Sequence, residues 1–286
     1  MIESFLSSWT LFHQSYLTGW LICLLLSIIG VLVVARDQIF IGAAVSQAST
    51  LGIALTTWAV LVFHLEQFSW FEPDVFFSAM AVIFSVLAAS ITGRGGETGK
   101  ESHEAITGWI FLISASLSIL IVSHSPHGLE EIHRLLSSSI IGATTSDLWT
   151  FGLLTLLTVF LIVFFYRRIL LFTLDPSMAS AIGMKMKIWS LATSAWLGLA
   201  VGLSIRASGM LYTFGCLVLP ALVAKNLCRE VREMFFVAPV VAILAGITGF
   251  VLANDYDYPP GQMTVALYCL LLVLVWTFRR IGNKSG

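Results

Sequence analysis

Nine apolar stretches, each about as long as a bilayer-crossing helix, take up most of this 286-residue chain. They run at roughly 15–35, 39–63, 75–92, 107–123, 148–166, 187–205, 208–225, 234–253 and 262–278, and about 20 apolar residues suffice to cross the hydrocarbon core. Lipid offers the backbone no hydrogen-bond partner, so such stretches fold as helices. The fourth and seventh are short, and the sixth and seventh form a tight hairpin, so the expected count is about nine, bounded by eight and ten. The expected fold is an all-α, polytopic membrane helix bundle, with residues 1–286 forming a single transmembrane domain. Only 11% of the residues are charged, against about a quarter in a soluble domain. That excludes a cytosolic enzyme and leaves no room for a soluble catalytic domain. Fifteen basic residues against sixteen acidic ones give a formal charge of -1, so no basic field exists for nucleic acid. The first partner is the lipid bilayer. No basic flank or small-residue cleavage site precedes the first stretch, so a cleaved signal peptide is not expected.

Charge placement sets the expected orientation. With the N-terminus outside and nine alternating spans, thirteen of the fifteen basic residues fall on the cytoplasmic side, and only Arg134 and Arg206 fall outside. The reverse orientation inverts that ratio, against the positive-inside rule. Glu66, Glu72, Asp74, Glu130, Glu131, Asp255 and Asp257 then lie outside, and the C-terminus lies in the cytoplasm. Trp70 and Trp149 outside, with Trp189 and Trp276 inside, suit interfacial belts.

Two absences narrow the chemistry. No carboxylate and no histidine lies in the middle of any predicted span, whereas ion-coupled carriers keep such groups at depth. No nucleophile with a base, and no metal motif, suggests an intramembrane enzyme. Four scattered cysteines, Cys23, Cys216, Cys228 and Cys269, show neither metal-knuckle nor thioredoxin spacing. The run Gly93-Arg-Gly-Gly-Glu-Thr-Gly-Lys-Glu101 fails as a phosphate loop, because its glycine spacing is wrong and Glu101 replaces the hydroxyl that magnesium needs. The chain is not expected to be an enzyme. A transporter without an internal ionic engine takes its energy from a partner.

The longest cytoplasmic link, Arg167 to Lys187, contains Asp175-Pro176. An Asp N-cap followed by Pro at the first helical position starts a helix. Ala179 and Gly183 are four apart, and four-residue spacing predicts one shared face. Small residues there suit either a surface link or a helix docking into a partner's groove.

With this link, four further stretches resemble, in order, the transmembrane permease of zinc/manganese-type metal-ion ABC importers. They are Gly30–Gly52 with the first link and second span, Leu135–Gly142 ahead of Asp147-Leu-Trp, Gly209–Ala224 with its Pro220-Ala-Leu-Val-Ala ending, and Asp257-Tyr-Pro-Pro-Gly261. The resemblance implies a two-fold core of two permeases (a second copy or a paralogue), a cytoplasmic ABC ATPase dimer and an external substrate-binding protein. It implies alternating access in the cell membrane, the bacterial inner or plasma membrane, with Asp175, Pro176, Ala179 and Gly183 coupling to the ATPase. ATP and magnesium would sit on the partner. This chain would bind no cofactor, and a divalent cation would be its cargo.

One departure stands out. The family carries Asp and His four residues apart after the glycine aligned with Gly42, and here those positions are Ala43 and Gln47. Alanine cannot ligate, and the Gln47 carbonyl is a modest donor for a hard cation. Three readings stay open. Gly42, Ala43, Ser46, Ala48 and Ser49 form a packing face with Gln47 bonded across helices. Ser46, Gln47 and Thr50 form a weak transit site. Or the substrate has changed, or an orthodox paralogue holds the metal. Cys216 and Met210 add soft sulfur to the candidate path, or merely fill space. Arg206 is a gate candidate that pairs with an acid, or a snorkelling surface charge. His124, His127 and His133, with Glu130 and Glu131, suggest a weak metal-gathering loop outside, or solvated side chains. The expected function is the permease subunit of an ATP-driven divalent metal importer, zinc or manganese. The alternative is a permease of the same fold with a non-metal substrate, or a regulatory partner that has lost the metal site.

Overall fold

The computed structural model describes residues 2–64, 72–95, 102–123 and 140–282. The outer-loop histidines His124, His127 and His133, with Glu130, Glu131 and Arg134, lie outside the described residues, as do 96–101 of the glycine-rich run. Among the described residues the chain forms α1 (Ile2–Ala35), α2 (Phe40–Phe63), α3 (Pro73–Gly95), α4 (His103–Val122), α5 (Thr145–Leu174), α6 (Pro176–Ala181), α7 (Met186–Ser208), α8 (Met210–Leu227), α9 (Val231–Tyr256) and α10 (Pro260–Gly282), with one 3-10 turn at Ile140–Gly142. Nine of these helices are long and apolar enough to span a bilayer, in agreement with the apolar runs of the sequence. The tenth is the short α6.

Local chemistry sets the ends. Ser102 caps α4, accepting from Ala105 N at 3.1 Å. Thr144 and Asp147 form a reciprocal capping box at the start of α5, with Thr144 N donating to Asp147 Oδ2 at 2.9 Å. Gly209 alone joins α7 to α8, at φ 79°, where only glycine is free of Cβ strain. Apolar patterning ends the fifth span near 166, but α5 runs on to Leu174. Arg167 and Arg168 are exposed while Ile169, Phe172 and Thr173 are buried. Two charges on the wet side of a helix therefore do not end it.

The chain divides into two compact units. The first comprises Met1–Asp37, Ser139–Met178 and Leu211–Gly286. Its centre is α1, 72% of whose most apolar window is buried against 17% for α10. Helix α1 packs against α5 and α9, and α9 against α10. A Cβ at Gly30 would overlap the Leu217 carbonyl, so α1 and α8 touch backbone to backbone there. At the end of this unit the Arg36 guanidinium lies 4.5 Å from the Phe172 ring centroid, and Lys225 Nζ pairs with Asp37 at 2.6 Å.

The second unit comprises Gln38–Ser138 and Ala179–Met210. Helices α2, α3 and α7 pack mutually, and α4 lies on α2. Small residues let the backbones close: a Cβ at Gly198 would stand 2.6 Å from Val86 Cα, and one at Gly52 2.5 Å from Met80 O. The Ser85 hydroxyl donates to Gly198 O at 2.6 Å, and Ser190 to Gly93 O at 3.0 Å. Without a hydrophobic force between helices in lipid, such close contacts and interhelical hydrogen bonds hold the unit together.

Candidate functional site

The polar candidates of α2 lie within its first three turns. Residues 41–46 and 48–54 are buried, and Gln47 is half-buried. Ala43 is 7% exposed and offers only a methyl group. The Gln47 amide donates from Nε2 to Met210 Sδ at 3.3 Å, so the side chain is bonded across helices. Thr50 donates its hydroxyl to Ser46 O at 3.1 Å, the ordinary back-bond of a helical threonine. Ser46 Oγ and Ser49 Oγ are buried without a hydrogen-bond partner. A buried hydroxyl without a partner carries a desolvation cost of about 1–3 kcal/mol. The geometry thus combines features of two readings: a small-residue face with Gln47 tied across it, and two unsatisfied oxygens available to a cation or to water.

The sequence offers Met210 and Cys216 of one span together, as soft sulfur or as space-filling side chains. The structure gives them different partners. Met210 receives Gln47, whereas Cys216 belongs to the first unit, with its Sγ 2.9 Å from Cys23 Sγ. The interhelical partners Met210 and Cys23 lie 163 and 193 residues away from Gln47 and Cys216, a separation at which periodicity carries no signal.

Arg206, in the last turn of α7, meets an acid. Its Nη2 lies 3.1 Å from Asp74 Oδ1 at the start of α3, with the two side chains 31% and 90% exposed. The alternating scheme puts Asp74 on the same side as Arg206 but does not single it out among the acids there. An ion pair this wet contributes about 0–1 kcal/mol to stability, so its energetic weight suits a contact that opens and closes.

The connector differs from the sequence expectation in one respect. Asp175 does cap α6: its Oδ1 accepts from Met178 N at 2.9 Å and from the Ser177 hydroxyl at 2.5 Å. These donors, Ser177 first, hold the carboxyl below its usual value. The cap is therefore fully charged above the ordinary carboxylate range and is lost only as the pH falls through the lowered value. Pro176 is the first helical residue. Ala179 and Gly183 do not share a helical face, because α6 ends at Ala181. Gly183 N donates to Ser180 O at 3.0 Å and Met184 N to Ala179 O at 3.1 Å, with Gly183 at φ 84°. That is a Schellman stop, and the left-handed residue it needs is what glycine supplies. Ala179 is 0% exposed, so it anchors the helix within this chain rather than facing outward. The exposed apolar side chains are Met178 at 56% and Ile182 at 62%, with exposed Lys185 and Lys187 following. Periodicity gives which residues share a side of a short helix, but not which side the protein covers.

Among the described residues no three His, Cys, Asp or Glu side chains gather in a group that could hold a metal ion. The sequence profile of the ABC 3 transport family matches residues 8–279. The chain belongs to the ABC 3 transport family. It is similar to the manganese transport system membrane protein MntC of Halalkalibacterium halodurans, 22% identical over 273 residues that cover 96% of this chain and 89% of that protein. It is also similar to the high-affinity zinc uptake system membrane protein ZnuB of Haemophilus influenzae, 24% identical over 258 residues, covering 90% and 94%. Its fold matches a chain of PsaBC from Streptococcus pneumoniae, solved in complex with a Fab, with a TM-score of 0.78, 18% identity and coverage of 96% and 95%. This ABC 3 family member is thus a multi-pass membrane transport protein.

Proposed function

We propose that this chain is the permease subunit of an ATP-driven importer of a divalent metal ion, zinc or manganese, in the bacterial inner or plasma membrane. The observation that carries the reading is the family match across residues 8–279, with manganese and zinc transport proteins among the relatives that the chain covers almost end to end. The N-terminus lies outside and the C-terminus in the cytoplasm. Two permeases, this chain with a second copy or a paralogue, form the core. A cytoplasmic ATPase dimer binds ATP and magnesium, and an external binding protein delivers the cation. This chain hydrolyses no ATP.

The roles of individual residues follow. Asp175 and Pro176 start the coupling helix, Ala179 seats it, and Gly183 stops it, so that Met178 and Ile182 meet the ATPase. Arg206 with Asp74 closes the outer side. The ion passes the oxygens of Ser46, Gln47 and Thr50 without being held tightly, since neutral oxygens and one thioether bind divalent ions weakly. Cys216 is set aside as a path ligand, because its sulfur is engaged with Cys23.

Vesicles containing the permease, its ATPase and the binding protein should accumulate radiolabelled manganese or zinc only with ATP inside the ATPase compartment. Flux of neither ion would overturn the reading. A second reading rests on Ala43, which leaves the position of a family ligand empty of donors: a permease of the same fold with a non-metal cargo, or a regulatory subunit. ATPase activity stimulated by the binding protein, with no metal uptake, would favour it.

A further inference from the structure

The first unit encloses a group of sulfur and phenol side chains that the transport reading does not use. Cys23 of α1, Cys216 of α8 and Tyr268 of α10 are 0% exposed, and Tyr212 of α8 is 2% exposed. Tyr212 and Cys216 are four residues apart, hence on one face of α8. Cys23 Sγ stands 2.9 Å from Cys216 Sγ, 2.9 Å from Tyr212 Oη and 3.3 Å from Tyr268 Oη. Tyr212 donates to Gly19 O at 3.0 Å, and Tyr268 donates to Ala242 O at 2.7 Å and, at the longer distance of 3.3 Å, to Cys23 Sγ. The hydrogen bonds to two carbonyls fix both rings beside the thiols. Both cysteines are free thiols.

We propose that Cys23 and Cys216 are an oxidative modification site, a dithiol that hydrogen peroxide converts to an interhelical disulfide joining α1 to α8. Closing from 2.9 Å to a bond of about 2.05 Å takes side-chain rotation of under ~1 Å. The helices are already in backbone contact at Gly30 and Leu217. Peroxide suits a fully enclosed site because it is small and uncharged.

The chemistry is a two-electron exchange. The Cys23 sulfur attacks one peroxide oxygen, the O–O bond breaks, and the departing hydroxide leaves as water with the thiol proton. The Cys216 sulfur then attacks the sulfenic sulfur of Cys23. The S–O bond breaks, and the second hydroxide takes the Cys216 proton as a second water. Each sulfur gives up one electron, and the two peroxide oxygens receive them.

The test uses the full chain in membranes. After peroxide treatment, quenching and denaturation, free thiols are blocked with a maleimide and the protein is digested and examined by mass spectrometry. A peptide linked through Cys23 and Cys216 should appear, two mass units lighter than its reduced parts together. Both residues should lose maleimide labelling in parallel, and dithiothreitol should reverse the change. In Cys216→Ser no linked peptide should form, and Cys23 should stop at the sulfenic acid, which dimedone traps and dithiothreitol reverses. If that variant fails to fold, the linked peptide of the unmodified chain decides alone. Full labelling of Cys23 and Cys216 at a dose that consumes the exposed Cys269 would overturn the proposal. So would linkage of either one only to Cys228, Cys269 or a second copy.

Discussion

At the scale of single residues, Ala43 and Gln47 hold the most information. The Gln47 amide donates to the Met210 thioether, and Ala43 is buried at 7% exposure. A carboxylate at 43 would be buried without a fixed partner, which costs stability unless a cation neutralises it. The double variant Ala43→Asp with Gln47→His should therefore melt lower than the native chain in chelator and recover when manganese or zinc is added. At a free ion concentration near 100 Kd the recovery should be about 2.7 kcal/mol. The unmodified chain, with neutral oxygens only, should show a much smaller metal-dependent shift. Thermal unfolding in detergent, with and without metal, measures both. No metal-dependent shift in either protein would mean that position 43 does not face the ion, and that the α2 surface is purely a packing face.

At the scale of elements, the connector is built from a cap, a buried alanine and a glycine stop, and each part contributes something different. Gly183 has open space around the position of a Cβ, yet its φ is 84°. Substitution there is resisted by backbone strain rather than by crowding. Gly183→Val should cost about 1–2 kcal/mol at the stop, and should lower ATPase binding while membrane insertion persists. Gly183→Asn, which tolerates the left-handed region, should bind almost normally. Co-purification of the ATPase with each variant, normalised to permease in the membrane, reads the difference. If both variants bind as the native chain does, Gly183 has no part in coupling. Element-level structure was largely legible in the sequence, because each span is an uninterrupted apolar run and Asp175-Pro176 is a local signal. The extension of α5 to Leu174 was not, since Arg167 and Arg168 read as the end of a span although Ile169 and Phe172 continue its buried side. Nor could spacing find the sulfur–phenol group, whose four members come from three helices and up to 245 residues apart. The Arg206–Asp74 pair was half legible: the charge and its side could be read, the partner could not.

At the scale of the whole molecule, the alternating scheme makes a demand on each unit separately, and contacts inside the units meet it. Arg206 and Asp74, which the scheme puts on one side, are in contact. Arg36 and Phe172, near the other ends of α1 and α5, are also in contact, and so are Lys225 and Asp37. What these pairs do not give is which side is the cytoplasm, and that rests on the distribution of thirteen of fifteen basic residues. The assignment can be checked with single cysteines in a chain carrying Cys228→Ser and Cys269→Ser, leaving the two buried thiols in place. Ser177→Cys sits at the exposed start of α6, and Tyr258→Cys replaces a side chain that is 59% exposed after α9. A membrane-impermeant maleimide applied to intact spheroplasts should label Tyr258→Cys and leave Ser177→Cys untouched. Permeabilised cells should label both to similar extents. The opposite pattern would place the capped helix outside, beyond the reach of any cytoplasmic motor, and an ATP-driven mechanism acting through α6 would be untenable for this chain.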